Sequence, residues 1–411
     1  MTQSNCRTCD KPNIIAIHQF KSTPYGDSYA DSKITATRLN CNPLILGRCQ
    51  NCHLLQLLHT TDLDSQYREY LYFTRVTHKL KEFYENISSN LSNKLALSQV
   101  DFVLDLGSND GTFLSCFKHD NSRLLGVDPS RPACEEALSA GIEVLNDYFD
   151  SDLASFIKEK HGAPKLITCN YTIANVPDLN DFFAGLKILT SLETQVNIIT
   201  GYHIDQFQVG MFDYIGHDHL TYLTLQDFQK LCESHGLKVN YARRHEHKGG
   251  SLEVGIVHAN SKIPIQDSVS QLIQRESWLN SAGNSSINLM LNKIEQNRNF
   301  VISLLSSLKA SGVAIFGVGA SISTTSLLYN FEIGKYFDYL FDDDPRKIGR
   351  FSPGFGIEVD SLDNLEPNHL SIAVILAWQH TEKIIFRLRE LQYTGLVLIP
   401  MPEIKLFRLS Y

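Results

Sequence analysis

Val103-Leu-Asp-Leu-Gly-Ser-Asn-Asp-Gly-Thr-Phe-Leu114 reads as a buried strand that breaks into a glycine turn and restarts as a helix. Val103 to Leu106 form a short apolar run with one acid, Gly107 permits a backbone conformation closed to other residues, and Thr112-Phe-Leu opens a helical pattern. A second apolar run, Leu124-Leu-Gly-Val-Asp128, follows and ends on an acid. Strand, turn, helix and strand in this order make the first half of a doubly wound α/β domain, in which ligands bind beyond the carboxyl ends of the strands. The acid at the second strand end, Asp128, is placed to grip an adenosine ribose through its hydroxyls.

The turn separates two cofactor classes. A dinucleotide turn needs G-x-G-x-x-G so that a pyrophosphate can approach the helix N-terminus. Here Asp105-Leu-Gly-Ser-Asn-Asp-Gly111 has two glycines and acids at 105 and 110. Carboxylates repel a pyrophosphate but suit the ammonium and sulfonium of S-adenosylmethionine. The expected cofactor is therefore S-adenosylmethionine, held by Asp105, Gly107, Ser108, Asn109, Asp110, Gly111 and Asp128. A nicotinamide cofactor or an ordinary tight turn is the competing reading.

The chain has 411 residues, enough for two or three domains, and a formal net charge of -8. That charge argues against a nucleic-acid footprint, which needs clustered Lys and Arg. No run of about 18 apolar residues predicts a membrane span, and Met1-Thr-Gln-Ser-Asn5 lacks the apolar core of a signal peptide, so a cytoplasmic location is expected. In that reducing compartment disulfides are disfavoured. Four of the nine cysteines are patterned: Cys6-x-x-Cys9 and Cys49-x-x-Cys52 supply four thiolates for a structural zinc site, with a redox C-x-x-C as the alternative. Cys41, Cys116, Cys134, Cys169 and Cys232 have no such partners and read as core fillers.

The fold class expected is α/β: a central doubly wound sheet, a small N-terminal zinc-binding module and a second, C-terminal Rossmann-like α/β domain. Residues 1–57 form the zinc module, with Pro43 to Leu46 and Leu54 to Leu58 as apolar ribs and too little core to fold without metal. Residues 58–97 are an aromatic and helical connector. Residues 98–262 are the cofactor domain, with strands at Phe102 to Leu106, Arg123 to Val127, Gly141 to Leu145, Leu166 to Cys169, Gln195 to Thr200, Val239 to Arg243 and Ser251 to Val257. Helical patterns alternate with the first five, as right-handed parallel crossovers require. Asn170, at the end of the fourth strand, shares the edge of the glycine turn and is placed to meet cofactor or substrate. Residues 263–310 read as two bridging helices. Residues 311–411 open again as strand, glycine turn and helix, Val313-Ala-Ile-Phe-Gly-Val-Gly-Ala-Ser-Ile322, where Gly317 and Gly319 can offer backbone N–H groups to a phosphate.

A second dense cluster is Phe212-Asp-Tyr-Ile-Gly-His-Asp-His-Leu-Thr-Tyr222, with His245-Glu-His-Lys-Gly-Gly-Ser251 behind it. Imidazoles titrate near neutral pH, so histidines at a strand end invite a general base. His217 and His219 lack the further ligands of a complete metal site. A loop held by its own hydrogen bonds is the other reading.

Taken together, these motifs resemble the sugar C-methyltransferases that act on nucleotide-linked keto-deoxysugars, over all three modules. The four-cysteine start, the Leu-Gly-Ser-Asn-Asp-Gly-Thr turn, Gly126-Val-Asp-Pro-Ser130, the His-x-His loop, Lys248-Gly-Gly-Ser251 and the Gly-x-Gly opening of the last domain occur in the family's order. The resemblance implies an N-terminal zinc domain, a central S-adenosylmethionine domain and a C-terminal domain that helps hold the nucleotide sugar. It implies a base that removes a proton beside the ketone, and an enolate that attacks the donor methyl group. His219 matches the family's base, with His217 and Asp218 orienting or polarising, and Tyr222 or Tyr72 as oxyanion donors. Lys248, Gly249, Gly250, Gly317 and Gly319 fall on the substrate side. The sequence departs from the family at Gly216, where a Tyr is usual, at Asp218, where a Glu is, and at Asn175 and Lys248, where a His is. Transfer to a sugar hydroxyl or amine, and a non-catalytic sugar-nucleotide binder, stay open as readings. The expected partner is a nucleotide-linked sugar, with no nucleic acid and no membrane, and the chain is expected as a monomer.

Overall fold

The computed structural model describes residues 5–60, 62, 64, 67–68, 73–76, 78–120, 122–281, 286–365 and 370–409. These fall into two compact units: 1–15, 47–203 and 218–283 in the first, and 16–46, 204–217 and 284–411 in the second. The early strands are β1 (Ile14–Thr23), β2 (Asn42–Cys49) and β3 (Leu55–Leu57). Next come β4 (Phe102–Leu106), β5 (Arg123–Val127), β6 (Glu143–Leu145), β7 (Leu166–Asn170) and β8 (Gln195–Gly201). The first unit ends with β9 (Thr221–Tyr222), β10 (Leu237–His245) and β11 (Ser251–His258).

The main sheet runs β10-β11-β8-β7-β4-β5-β6. From β4 the chain builds outward through β5 and β6 on one side and β7 and β8 on the other, all in parallel pairs. The crevice between β4 and β7 is thus the point where strand order reverses, the place where open α/β sheets take their ligands. Every residue of β4, β7 and β8 is buried, which explains why they read as continuous apolar runs rather than alternating ones. β11 returns antiparallel to both β8 and β10, and closes the sheet with a hairpin whose turn, 246–250, sits at the carboxyl edge.

Side chains start the crossover helices. Ser130, Asp150 and Asp178 each accept a backbone N–H from the first turn of the helices Arg131–Ser139, Ser151–His161 and Leu179–Leu189. Thr224 and Asp227 form a reciprocal capping box on Leu225–Ser234. The helix His78–Leu95 lays Leu80, Tyr84, Ile87 and Leu91 against Val103, Phe113, Leu114 and Phe117. Asp267–Ser281 contributes Glu276, which is fully buried and accepts from Tyr202 Oη at 2.8 Å, Leu225 N at 2.8 Å and Gln226 N at 3.1 Å.

In the second unit, β12 (Ala314–Val318), β13 (Tyr339–Asp342), β14 (Val359–Ser361), β15 (Ser371–Ile375), β16 (Leu396–Ile399) and β17 (Lys405–Arg408) form a sheet in the order β14-β13-β12-β15-β16-β17. Its first five strands pair in parallel, and β17 closes the edge antiparallel to β16. The predicted strand, turn and helix are present, with Ile322–Asn330 capped by Ser321 and Thr324. β15 ends at Ile375, and Trp378–His380 turns into a short 3₁₀ segment. β1, β2, β3 and β9 make a separate sheet in the order β1-β2-β3-β9. No helix among the described residues is long and apolar enough to cross a membrane.

Two substitutions test these supports. Burial raises the Glu276 carboxyl to about 7, against the pull of its three donors. A carboxyl held above its ordinary value stabilises the fold most below that value, and the contribution is lost as pH rises through about 7. Glu276→Gln should therefore make the fall in unfolding free energy between pH 5 and pH 7 shallower, and Glu276→Ala should cost about 3 kcal/mol by leaving three donors unmet, both read by urea titration. At Gly107, φ is +75° and an added Cβ would lie 2.0 Å from Thr172 Oγ1. Gly107→Ala should cost about 2 kcal/mol or more from backbone strain and overlap. Adding Thr172→Ala should return the overlap part alone, leaving the backbone part in place.

Candidate active site

The glycine turn after β4 is held by its own chain. Gly107 N and Ser108 N both donate to Val127 O, at 2.7 and 3.1 Å, and Gly111 N donates to Ser108 O. Gly107, Asn109 and Gly111 all have positive φ, a conformation that costs a glycine little and an asparagine less than most residues. Asn109 Oδ1 accepts from Thr74 N at 2.9 Å, and Asp110 Oδ2 from Arg75 N at 3.0 Å. The other Asp110 oxygen takes Thr112 Oγ1 at 2.6 Å. These two side chains brace the turn against residues 74–75, a use that the sequence did not signal.

Around that turn lie groups with unmet demand. Asp128 is buried at the end of β5, one carboxylate oxygen accepting Asn109 N and the other Ser130 N, each at 2.8 Å. Burial nevertheless raises it to about 6; the two amides lower it and Asp110 adds to the rise. Asp105 is raised to about 7, first by burial, with Thr168 Oγ1 opposing at 2.6 Å and Asp128 reinforcing. Asn170, 8% exposed at the end of β7, has both amide atoms buried without a hydrogen bond among the described residues, and Ser108 Oγ is in the same position. Clustered carboxylates held above their ordinary range, beside an unmatched amide, suit a cationic ligand that also carries hydrogen-bonding groups. Asn146, whose Nδ2 donates to Asp128 O at 3.0 Å, is a supporting residue that pattern reading missed.

The same edge continues past β7. Tyr171, at φ +55°, bonds Ser251 Oγ at 2.9 Å. The Lys248 ammonium sits 3.8 Å from the centre of the Tyr171 ring. Burial brings that ammonium down to about 8, with the Asp218 carboxylate opposing. Asp218 Oδ2 lies 3.7 Å from His219 Nε2. Leu220 N donates to Ala174 O at 2.7 Å, and the adjacent Asn175 Oδ1 is buried with no hydrogen bond among the described residues. In the turn before β11, Gly249 and Gly250 have φ +74° and +135°.

Other residues of the predicted set lie elsewhere. His217 falls in the second unit, where Tyr25 meets its ring edge-on at 5.6 Å and Asn42 O lies 3.3 Å from Nε2. Tyr222 is 1% exposed and pairs with Leu55 in the β3 and β9 ladder. Beside it His203 is pushed down to about 3 by burial and by Arg48, which keeps it neutral. Tyr72 lies outside the described residues. In the second unit, an added Cβ at Gly317 would overlap Leu376 and Leu340, and the Gly319 N–H is spent on Phe341 O at 2.8 Å.

The two cysteine pairs come together. Their four sulfurs lie within 4.8 Å of one another, with Cys6 to Cys52 at 3.4 Å and Cys9 to Cys49 at 3.6 Å. Tetrahedral bonds of about 2.3 Å to zinc place sulfurs about 3.8 Å apart, so the donor set fits that ion. Asp10 and His53, each the residue after a pair, take the same left-handed conformation, at φ +53° and +69°.

Residues 72–242 match the family described as a methyltransferase domain, and residues 246–402 match the C-methyltransferase C-terminal domain. The C-methyltransferase NovU of Streptomyces niveus is 24% identical over 400 residues, 97% of this chain and 95% of that protein. Among solved structures, a SAM-dependent methyltransferase from Anabaena variabilis is 14% identical with a TM-score of 0.34, over 42% of this chain and 83% of that one. The magnesium protoporphyrin IX methyltransferase of Synechocystis, solved with bound SAH, is also 14% identical with a TM-score of 0.35, over 46% and 89%. The acidic switch-point turn and the two adjoining family matches lead to one activity, that of an S-adenosylmethionine-dependent C-methyltransferase.

Proposed function

We propose that this C-methyltransferase acts on the carbon beside the ketone of a nucleotide-linked keto-deoxysugar, through an enolate. The observation that carries the reading is the pairing of His219 with Asp218 on the sheet edge that also bears Asp105, Asp128 and the unmatched Asn170 amide. His219 is the base, and Asp218 orients its ring and stabilises the imidazolium as the proton arrives. Bound S-adenosylmethionine supplies an electrophilic methyl group. Asp128 takes the ribose hydroxyls, while Asp105 and the Gly107 to Gly111 turn, braced by Asp110, face the cationic end. Lys248, Gly249 and Gly250 meet the sugar. Tyr222 and Tyr72 keep the supporting roles that the family resemblance implies.

The reading is tested by proton exchange, which needs no methyl donor. Wild-type enzyme with a thymidine- or guanosine-diphosphate 4-keto-6-deoxyhexose in deuterated water should introduce deuterium at the carbon beside the ketone. His219→Ala should slow that exchange about 10²–10⁴-fold while binding of S-adenosylhomocysteine persists. Exchange at the wild-type rate in the variant would place the base elsewhere.

The second part of the proposal is a structural zinc bound by Cys6, Cys9, Cys49 and Cys52. Purified protein should contain one zinc per chain by elemental analysis. Cys49→Ser should release it and lower the melting temperature of the first unit; metal-free protein of unchanged stability would remove the site.

A further inference from the structure

We propose that the Lys248 ammonium binds the ketone oxygen of the substrate and holds the negative charge that develops there as the neighbouring carbon loses its proton. The inference rests on the keto-sugar reading and gives the enolate its counter-charge. The position comes from the sheet. β10 and β11 pair His245 with Ser251, and β11 pairs Ser251 with Gly201 at the end of β8. The turn bearing Lys248 therefore projects at the carboxyl edge, where β7 ends at Asn170. Tyr171, whose ring lies under the ammonium, is the next residue in the chain.

The turn is built at a cost. Lys248 has φ +52° and Tyr171 φ +55°, left-handed conformations that side-chain-bearing residues adopt rarely, and both residues of the cation and ring contact share them. The ammonium lies against an aromatic face and feels the charge of Asp218, the carboxylate that pairs with His219, while Leu220, the residue after His219, bonds Ala174 O in the same turn after β7 that carries Tyr171. An ammonium lowered to about 8 is a strong hydrogen-bond donor to a nascent oxyanion, and it is fixed before the reaction begins. A ketone bound with its acidic carbon at the His219 imidazole would direct its oxygen to the Lys248 ammonium over Tyr171, at the same turn after β7.

The electron count closes without a further reactant. His219 takes the proton; the carbon–hydrogen pair becomes the carbon–carbon π bond, and the carbonyl π pair moves onto oxygen, where a Lys248 N–H donates to it. As the carbon bonds the methyl group, the oxygen pair re-forms the carbonyl, the sulfur to methyl bonding pair stays on sulfur, and the proton on His219 passes to water.

The test uses the full-length enzyme, the same two keto-deoxyhexose nucleotides and the deuterium readout. Lys248→Met should slow exchange about 10²–10³-fold, as loss of an oxyanion donor does, with S-adenosylhomocysteine affinity unchanged by calorimetry. Lys248→Ala should regain exchange saturably with added ethylammonium, which a merely structural role would not allow. Exchange in Lys248→Met within threefold of wild type would overturn the inference, and so would a variant whose KM rises at unchanged kcat. In either case the keto-sugar reading would survive, because wild type exchanges. Absence of exchange in wild type itself would overturn both.

Discussion

The contact between the turns that follow β4 and β7 constrains the rest of the first unit. Gly107 approaches Thr172 so closely that no side chain fits between them, and the turn completes itself by donating two amides to Val127 O. That leaves Asp105, Asp128 and Asn170 around one crevice, the ends of three parallel strands held in register by Asp105 with Gly126 and Asp105 with Thr168. A wider turn would separate those groups. A side chain at 107 would push the Thr172 segment, and with it Tyr171, away from the crevice.

Charge follows from this packing. Parallel strands buried on both faces leave carboxylates at their ends with little water, so Asp105 and Asp128 rise toward neutrality, Asp128 adding to the rise of Asp105 and Asp110 to that of Asp128. A sulfonium and an ammonium brought into that crevice meet two acids that gain by ionising in their presence. Asp110, the third acid of the turn, is already committed to Arg75 N, Thr112 N and Thr112 Oγ1, so its part is to keep the turn rigid. The acidic composition that first distinguished the turn from a dinucleotide fingerprint therefore divides: Asp110 braces the turn, and Asp105 and Asp128 are the acids proposed to meet the cofactor.

What could be read in the sequence was what depends on local order. β4 and β5 match their apolar runs residue for residue, and the other strands of the main sheet fall within a few residues of the expected ones, because burial on both faces writes itself as unbroken hydrophobicity. The helices Asp267–Ser281 and Ser286–Ala310 follow their 3.6-residue spacing in the same way. β1 and β17 were missed: Ile14–Thr23 alternates with polar residues and has exposed positions, and Lys405–Arg408 is an exposed edge. His217 and His219 look equivalent in sequence, yet two residues of separation send one toward Asn42 and Tyr25 and the other to Asp218. Periodicity carries no signal for such a division. Likewise the bracing use of Asn109 depends on where residues 74–75 return, which no local pattern fixes.

The cysteine knuckles bear on the chemistry through backbone bonds. Arg7, between Cys6 and Cys9, is buried; its guanidinium donates to Pro177 O at 2.9 Å and to Thr60 Oγ1 at 2.6 Å, and its N–H donates to Gln56 Oε1. Gln56 lies in β3, which pairs with β9, and Leu57 N donates to Leu220 O at 2.9 Å. The other side of Leu220 is held by Ala174 O, three residues before Pro177. Leu220 is thus fixed at both its N–H and its carbonyl by segments that Arg7 ties together, and it is the residue directly after His219. Lys230, donating to Cys52 O at 2.8 Å, joins the second knuckle to the helix that β9 leads into. Tetrahedral closure of the four sulfurs would fix Arg7, and through it both anchors of Leu220. A metal held far from the crevice in sequence would in this way set how sharply the imidazole of His219 is aimed.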